Sequence, residues 1–324
     1  MSNTSTTIAA LILTSGLGSG VCAQDGYPTK PIRLIIPYAP GGGSDIVGRI
    51  IAEKLSEQLG RQVIPDNRAG GSTVIGAGLA ASAPADGYTL LIATVTTLAV
   101  IPNVKSGLPY DYERDFAPVS MLATQPYVLV VYPGLPISNV SQLITYSKAN
   151  PGKLNYGSPG VGSGGHIAAE LLKSMSGIDM THIGYKGSGP AVADILGGHI
   201  GLVISTILGV QQFVSDRRLR AVAISTARRS AAMPEVPTFA ESGVPGYQAG
   251  SWNSLVVPGK TSPAIVSRLN AEIATALRSP AVQKRLIAQG ADPEPGTPGQ
   301  LDDHIKAERA RFAKLLKAIG LKEL

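Results

Sequence analysis

Two glycine-rich stretches in this chain have the composition and spacing to grip a negative group through the peptide backbone. One runs Pro40-Gly41-Gly42-Gly43-Ser44-Asp45; the other runs Gly157-Ser158-Pro159-Gly160-Val161-Gly162-Ser163-Gly164-Gly165. Each follows a short strand-like run and opens an apolar-periodic segment that a glycine closes, Gly60 in the first copy and Gly177 in the second. Glycine lets a ligand come close to the main chain, and the first turn of a helix leaves its N–H groups unpaired. Those amides, with the positive end of the helix dipole, favour a carboxylate or phosphate by about a kcal/mol or more when shielded from water. The candidate contacts are Gly41, Gly42, Gly43 and Ser44 from the first copy, and Ser158, Gly162, Ser163, Gly164 and Gly165 from the second. Asp45 either caps its own helix or meets the ligand, and His166 is either a satisfied structural histidine or a ligand contact.

In both copies a second glycine turn follows, Ala69-Gly70-Gly71-Ser72 and Lys186-Gly187-Ser188-Gly189, and then an apolar strand ending in hydroxyls. Thr94, Thr96 and Thr97 end one such strand, and Ser205 with Thr206 ends the other. Hydroxyls at the carboxyl edge of an open α/β sheet face the crevice where such sheets bind ligands, and they donate or accept without burying a charge. Tyr185 and Trp252, the sole tryptophan, could wall the same crevice.

Catalytic constellations are poor. Four histidines, His166, His182, His199 and His304, have no metal-ligand spacing with a carboxylate, and Ser44 lacks the trailing glycine of a nucleophile elbow. Gly160-Val161-Gly162-Ser163-Gly164-Gly165 fits the dinucleotide pattern G-x-G-x-x-G. The acidic residue that should end the next strand is missing there, because Asp179 precedes that strand and Tyr185-Lys186-Gly187 ends it. The reading is therefore a non-enzyme with no cofactor and no metal; a dinucleotide enzyme is the weaker alternative.

The elements that must position these residues follow from periodicity. Strands are expected at Ile32–Pro37, Gln62–Pro65, Tyr88–Ala93, Thr181–Tyr185, Gly201–Thr206 and Leu219–Ser225. Helices are expected from Asp45 to Gly60, and over Gly76–Ala83, Ser141–Lys148, Ala191–Leu196, Ser262–Arg278, Pro280–Gln289 and Pro298–Leu316. Pro234–Gly246 reads as a surface excursion rich in Pro and Gly. Alternating strand and helix argues for α/β domains built on parallel sheets. Val119–Val131 and Trp252–Val257 read as two crossings between domains. These divide the chain into domain I, residues 24–121 with 251–324, and domain II, residues 122–250. Two crossings make a hinge suited to closing around a ligand.

At 44% hydrophobic and 15% charged, the chain can build two proper cores. Its net charge of +6 is scattered, and aromatics are only 5%, which argues against nucleic acid as a partner. Ile8–Val21 is apolar and small, and Val21-Cys22-Ala23 fits a cleavage site before Gln24. Residues 1–23 therefore read as a secretion signal, although Met1–Thr7 carries no Lys or Arg. Cleavage there removes Cys22, the single cysteine, and with it any disulfide or thiol chemistry.

The run Tyr27-Pro28-Thr29-Lys30-Pro31-Ile32-Arg33-Leu34-Ile35-Ile36-Pro37, followed by Ala39–Asp45, resembles the periplasmic solute-binding proteins of tripartite tricarboxylate transporters, the Bug receptors. The likeness continues through Pro84–Leu90, Asn155–Ser158, Tyr185–Gly187, Val236–Thr238, Glu241–Gly243 and Gly246-Tyr247, so it covers essentially the whole mature chain. The resemblance implies a two-lobed, flytrap-like fold of type II topology. It further implies a soluble periplasmic monomer that captures a small organic carboxylate and delivers it to a membrane permease of a large and a small subunit. A sensor receptor serving a membrane signalling protein is the alternative. In such receptors glycine loops of both lobes hold the carboxylate, here Gly41–Asp45 and Ser158–His166. The chain departs from the family at Thr94-Val95-Thr96-Thr97-Leu98, where glycine and a Thr-His pair are common. It departs again at Asn253-Ser254, where an aromatic and a glycine often follow the tryptophan.

Overall fold

The computed structural model describes residues 26–321, so the expected secretion signal, residues 1–23, lies outside the described residues. The chain first lays down β1 (Ile32–Ile36), α1 (Gly43–Leu59), β2 (Val63–Asn67), α2 (Val74–Ala81) and β3 (Thr89–Thr94). A π-turn, Thr96–Val100, runs into the short helices α3 (Ile101–Val104) and α4 (Tyr112–Asp115), and the long strand β4 (Phe116–Val131) follows. Next come α5 (Val140–Ala149), β5 (Asn155–Ser158), α6 (Gly164–Ser176), β6 (Thr181–Gly184), α7 (Ser188–Leu196), β7 (Leu202–Thr206), α8 (Ile207–Ser215) and β8 (Arg220–Ile224). The chain returns through β9 (Gly250–Pro258) to α9 (Pro263–Arg278), α10 (Pro280–Ile287), β10 (Asp292–Pro293) and α11 (Pro298–Ala318).

Local rules account for most of these limits. In α1, Val47, Ile51 and Leu55 recur at helical spacing and are buried, and Gly60 ends the helix in the left-handed conformation at φ 62°. Gly177 ends α6 in the same way at φ 67°. Ser262 caps α9 through the Ile265 amide, and a Thr297–Gln300 capping box starts α11.

The sequence repeat reappears as a repeated strand order. In one sheet β1 lies between β2 and β3, all parallel, and β3 is flanked by β9; in the other β5 lies between β6 and β7, all parallel, and β7 is flanked by β4. The sheets are not parallel throughout, as strand–helix alternation suggests. Strands β4 and β9 are antiparallel to β7 and β3 respectively, and to each other. Strand β4 belongs to both sheets: Phe116–Pro126 pairs with β9, and Tyr127–Val131 pairs with β7. Each sheet buries an apolar cluster on both faces, around Ile36–Val47–Leu269 and Leu91–Val256–Ile305 in the first, and Leu129–Tyr156–Leu172 and Val130–Ile195–Val203 in the second.

One expectation needs correcting. Pro234–Gly246 is not a simple surface excursion, because Phe239 and Val244 are buried in the second sheet's core. Phe239 packs against Tyr247 with ring centroids 4.4 Å apart, and the Tyr247 hydroxyl donates to the Ala168 carbonyl at 2.8 Å. The Pro and Gly residues shape the path while the aromatics anchor it.

Candidate functional site

Four helix N-termini meet where the two sheets face each other. Helix α1 begins at Gly43 with Gly42 at its cap position, and no side chain caps it. Its first turn-closing bond runs from the Ile46 amide to the Gly42 carbonyl at 3.0 Å, so the Gly43 and Ser44 amides precede the intrahelical ladder. Asp45 is not the cap. Its carboxylate turns back to take the Gly41 amide at 3.0 Å, the Asn67 amide at 2.8 Å and the Arg49 guanidinium at 3.0 Å. Burial alone pushes the Asp45 carboxyl up, but these donors outweigh it and hold it below the usual carboxylate range. Asp45 thus clamps the loop that aims α1. Asp45→Ala leaves the Gly41 amide and Asn67 without this acceptor and should lower unfolding free energy by about 2–3 kcal/mol, read from denaturant midpoints.

Across the cleft, α6 is capped by Ser163, whose Oγ accepts the His166 amide at 3.2 Å. Helices α7 and α8 begin after Gly187 and Thr206 without side-chain caps. The cavity between these ends is closed down to about 30 Å³. From the first sheet's side Tyr38, Gly42, Gly43, Ser44, Thr96 and Ser251 line it; from the other side come Tyr127, Pro159, Ser163, Gly164, Gly165, Ser188, Ile204, Ser205 and Thr206. No Lys, Arg, His, Asp or Glu is in this lining. An anion here would be met by amides, hydroxyls and helix dipoles, each end contributing about 0.3–2 kcal/mol. Ser205 Oγ and Thr206 Oγ1 are buried and lack any protein partner. Such atoms are uncommon in a folded protein, and here they face the cavity.

The closed arrangement is held by direct bonds between the two sides. The Ala39 amide donates to the Lys186 carbonyl at 2.9 Å, Ser72 Oγ donates to the Val161 carbonyl at 2.5 Å, and the Gly164 amide donates to Thr96 Oγ1 at 3.1 Å. Gly43 lets the sides approach this closely: a Cβ there would collide with Thr206 Oγ1 and stand 3.2 Å from Gln125 Oε1.

Of the residues expected from sequence, Gly42, Gly43, Ser44, Thr96, Ser163, Gly164, Gly165, Ser205 and Thr206 share this cavity. The others support it or lie elsewhere. Gly41 is absent from the lining, and its amide is held by Asp45. Thr94 bonds the Tyr38 hydroxyl at 3.0 Å and Thr97 at 3.3 Å, a layer behind the lining. Ser158 pairs with His182 Nε2 at 2.7 Å, and the Gly162 amide donates to His166 Nδ1 at 3.1 Å. His166 is therefore a structural acceptor, and burial with His182 close by lowers its pKa to about 4.

Tyr185 donates its hydroxyl to Asp194 at 2.5 Å, outside the lining. Trp252 is buried between its sheet and α11, donating Nε1 to Glu308 at 3.1 Å and packing edge-on against His304 at 5.2 Å. Trp252 emission should therefore hold its wavelength when a ligand saturates the protein, a check made in one fluorescence titration.

Sequence reasoning missed Tyr38, Tyr127, Pro159, Ser188, Ile204 and Ser251 as lining residues. The paired copies offered a signal for Ser188, which sits in the second glycine turn.

With this geometry, comparison with known proteins is decisive. The family model described as "Tripartite tricarboxylate transporter family receptor" matches residues 47–321. The chain belongs to this family. Its relatives include Protein BugT of Bordetella pertussis, 39% identical over 316 residues that cover 97% of each chain. Among solved structures, R. palustris Rpa4515 with adipate is 37% identical with a TM-score of 0.90, covering 92% of this chain and 100% of that one. MatC from Rhodopseudomonas palustris with bound malate is 28% identical with a TM-score of 0.85, covering 90% and 100%. The family is one of solute-binding receptors and not of enzymes. Among the described residues, no helix is long and apolar enough to cross a membrane.

Proposed function

We propose that this protein is the periplasmic receptor of a tripartite tricarboxylate-type transporter. It captures a small carboxylate between two lobes and delivers it to a permease of a large and a small membrane subunit. The observation that carries this reading is a cavity ringed by four helix N-termini and hydroxyls, with no charged side chain in its lining. Adipate in one relative and malate in another support carboxylate as the shared chemistry. The lobes are residues 24–121 with 251–324, and residues 122–250; β4 and β9 join them as the hinge. The carboxylate meets the Gly43, Ser44 and Gly165 amides with the Ser163 and Ser205 hydroxyls. Closure then replaces lost hydration with short, charge-assisted bonds.

Calorimetric titration with mono-, di- and tricarboxylates, amino acids and aromatic acids tests this reading. At least one acid should bind with a 1:1 stoichiometry expected of a monomer; failure of the whole panel would end the proposal.

A further inference from the structure

Gln125 sits in β4 just before the strand passes from one sheet to the other. Its side chain is 2% exposed, and neither Oε1 nor Nε2 has a hydrogen-bond partner. Burying an unpaired carboxamide costs about 1–3 kcal/mol for each unsatisfied group, so a folded protein seldom retains one without a use. Three more orphaned atoms belong to its neighbourhood: Ser205 Oγ, Thr206 Oγ1 and Asn253 Oδ1.

Strand pairing brings these groups together. Gln125 lies opposite Ser251, and Ala123 opposite Asn253, so alternation puts both carboxamides on one sheet face. Asn253 Nδ2 donates to Ser44 Oγ at 3.3 Å, beneath the start of α1. Gln125 Oε1 is 3.2 Å from the point where a Cβ on Gly43 would stand, and Thr206 Oγ1 approaches the same point from the opposite lobe.

We infer that Gln125, Asn253 and Thr206 form a neutral second subsite behind the Gly43 end of the cavity, where the two carboxamides lie outside its lining; it takes an uncharged hydroxyl or carboxamide on the ligand whose carboxylate the helix ends hold. This rests on the carboxylate reading above and narrows it. A carboxamide oxygen only accepts, so the group opposite must carry a hydrogen. Turning an amide over exchanges its oxygen for its nitrogen but never removes the oxygen. A second carboxylate only accepts, so it would pair with the subsite's N–H and O–H groups alone and leave the amide oxygens of Gln125 and Asn253 without a donor. The cavity lining offers it no cation, and Arg228 and Arg229 border a separate groove that Gln125 also lines. The ligand class is therefore a hydroxy acid or an amide-bearing monocarboxylic acid.

The test is a calorimetric comparison of acids matched in chain length: glutarate, glutaramate, 5-hydroxypentanoate and pentanoate, with their C4 and C6 counterparts. The hydroxy or amide member should bind about tenfold or more tighter than the dicarboxylate of equal length. Gln125→Leu and Gln125→Met should each erase about tenfold of that preference while moving the plain monocarboxylate less than about threefold. Gln125→Met keeps the side-chain length, so it carries the test if Gln125→Leu fails to fold. A dicarboxylate ranking first, or both variants weakening every acid alike, overturns the neutral subsite and leaves the carboxylate reading standing. Wild-type protein that binds no acid overturns both.

Discussion

Gly43→Ala should weaken ligand capture by about a hundredfold, equivalent to about 2.7 kcal/mol, while leaving the unliganded fold intact. Gly43 is the first residue of α1 and is not among those with a left-handed backbone, so alanine fits its local conformation and favours the helix. The damage arises only on closure. The added methyl would collide with Thr206 Oγ1 from the opposite lobe and crowd Gln125 Oε1 at 3.2 Å. Thr206 is a short, buried side chain at the end of a strand and contributes its Cβ as well as Oγ1 to the clash, so it cannot yield cheaply; the longer Gln125 side chain can give a little. Lobes held apart by a methyl group lose the bonds from Ala39 to Lys186, Ser72 to Val161 and Gly164 to Thr96. The measurement pairs calorimetry, using whichever acid the wild type binds, with thermal unfolding of the free protein. Unchanged affinity would mean that Gly43 and Thr206 do not meet in the loaded state. A large drop in free-protein melting temperature would point to a folding role instead.

The parts of this cleft legible in the sequence are those where backbone punctuation and periodicity coincide. Three glycines before an apolar stripe, with Gly60 closing it, locate α1 and its open amides; the same pattern with Gly177 locates α6. Helix α8 was hidden because Leu202–Thr206 runs into Ile207–Val210 without a Gly or Pro between them, and a threonine reads as one more strand residue. The segment after Thr94 was hidden for the same reason: Val95–Val104 continues the apolar run of β3 and winds first as a π-turn. Pairings made only by tertiary structure left no local trace. Gln125 and Asn253 are single amides in strong β segments 128 positions apart, and only the β4–β9 ladder makes them neighbours. Tyr185 and Trp252 have the amphipathic character of cleft residues, but Asp194 and Glu308 satisfy their polar atoms elsewhere. Residue type shows what a side chain can do, and strand register decides where it does it.

The glycine loop of the second lobe should also make the protein acid-sensitive at a pH well above that of ordinary carboxylate titration. His166 Nδ1 accepts the Gly162 amide at 3.1 Å, which requires an unprotonated Nδ1. Burial chiefly, then His182 with its ring 4.1 Å away, lowers the folded-state pKa to about 4; nearby Glu170 opposes the shift and Lys173 adds to it. An unfolded chain takes up this proton near pH 6.5. Between pH 6.5 and 4 the unfolded state therefore binds more protons than the folded one, and stability falls as pH falls through that window. The loss should approach about 2–3 kcal/mol by pH 4.5 and level off below pH 4. Asp45 and Glu170, whose folded pKa values are depressed, lose their stabilising contribution at lower pH, as it falls below the ordinary carboxylate range. His182 is also lowered by burial, so the whole-protein curve alone does not isolate His166. His166→Asn does: its Oδ1 replaces Nδ1 as acceptor for Gly162 and does not titrate. Denaturant unfolding at pH 7 and pH 4.5 should show most of the difference gone in this variant. An undiminished difference would assign the acid sensitivity to groups other than His166.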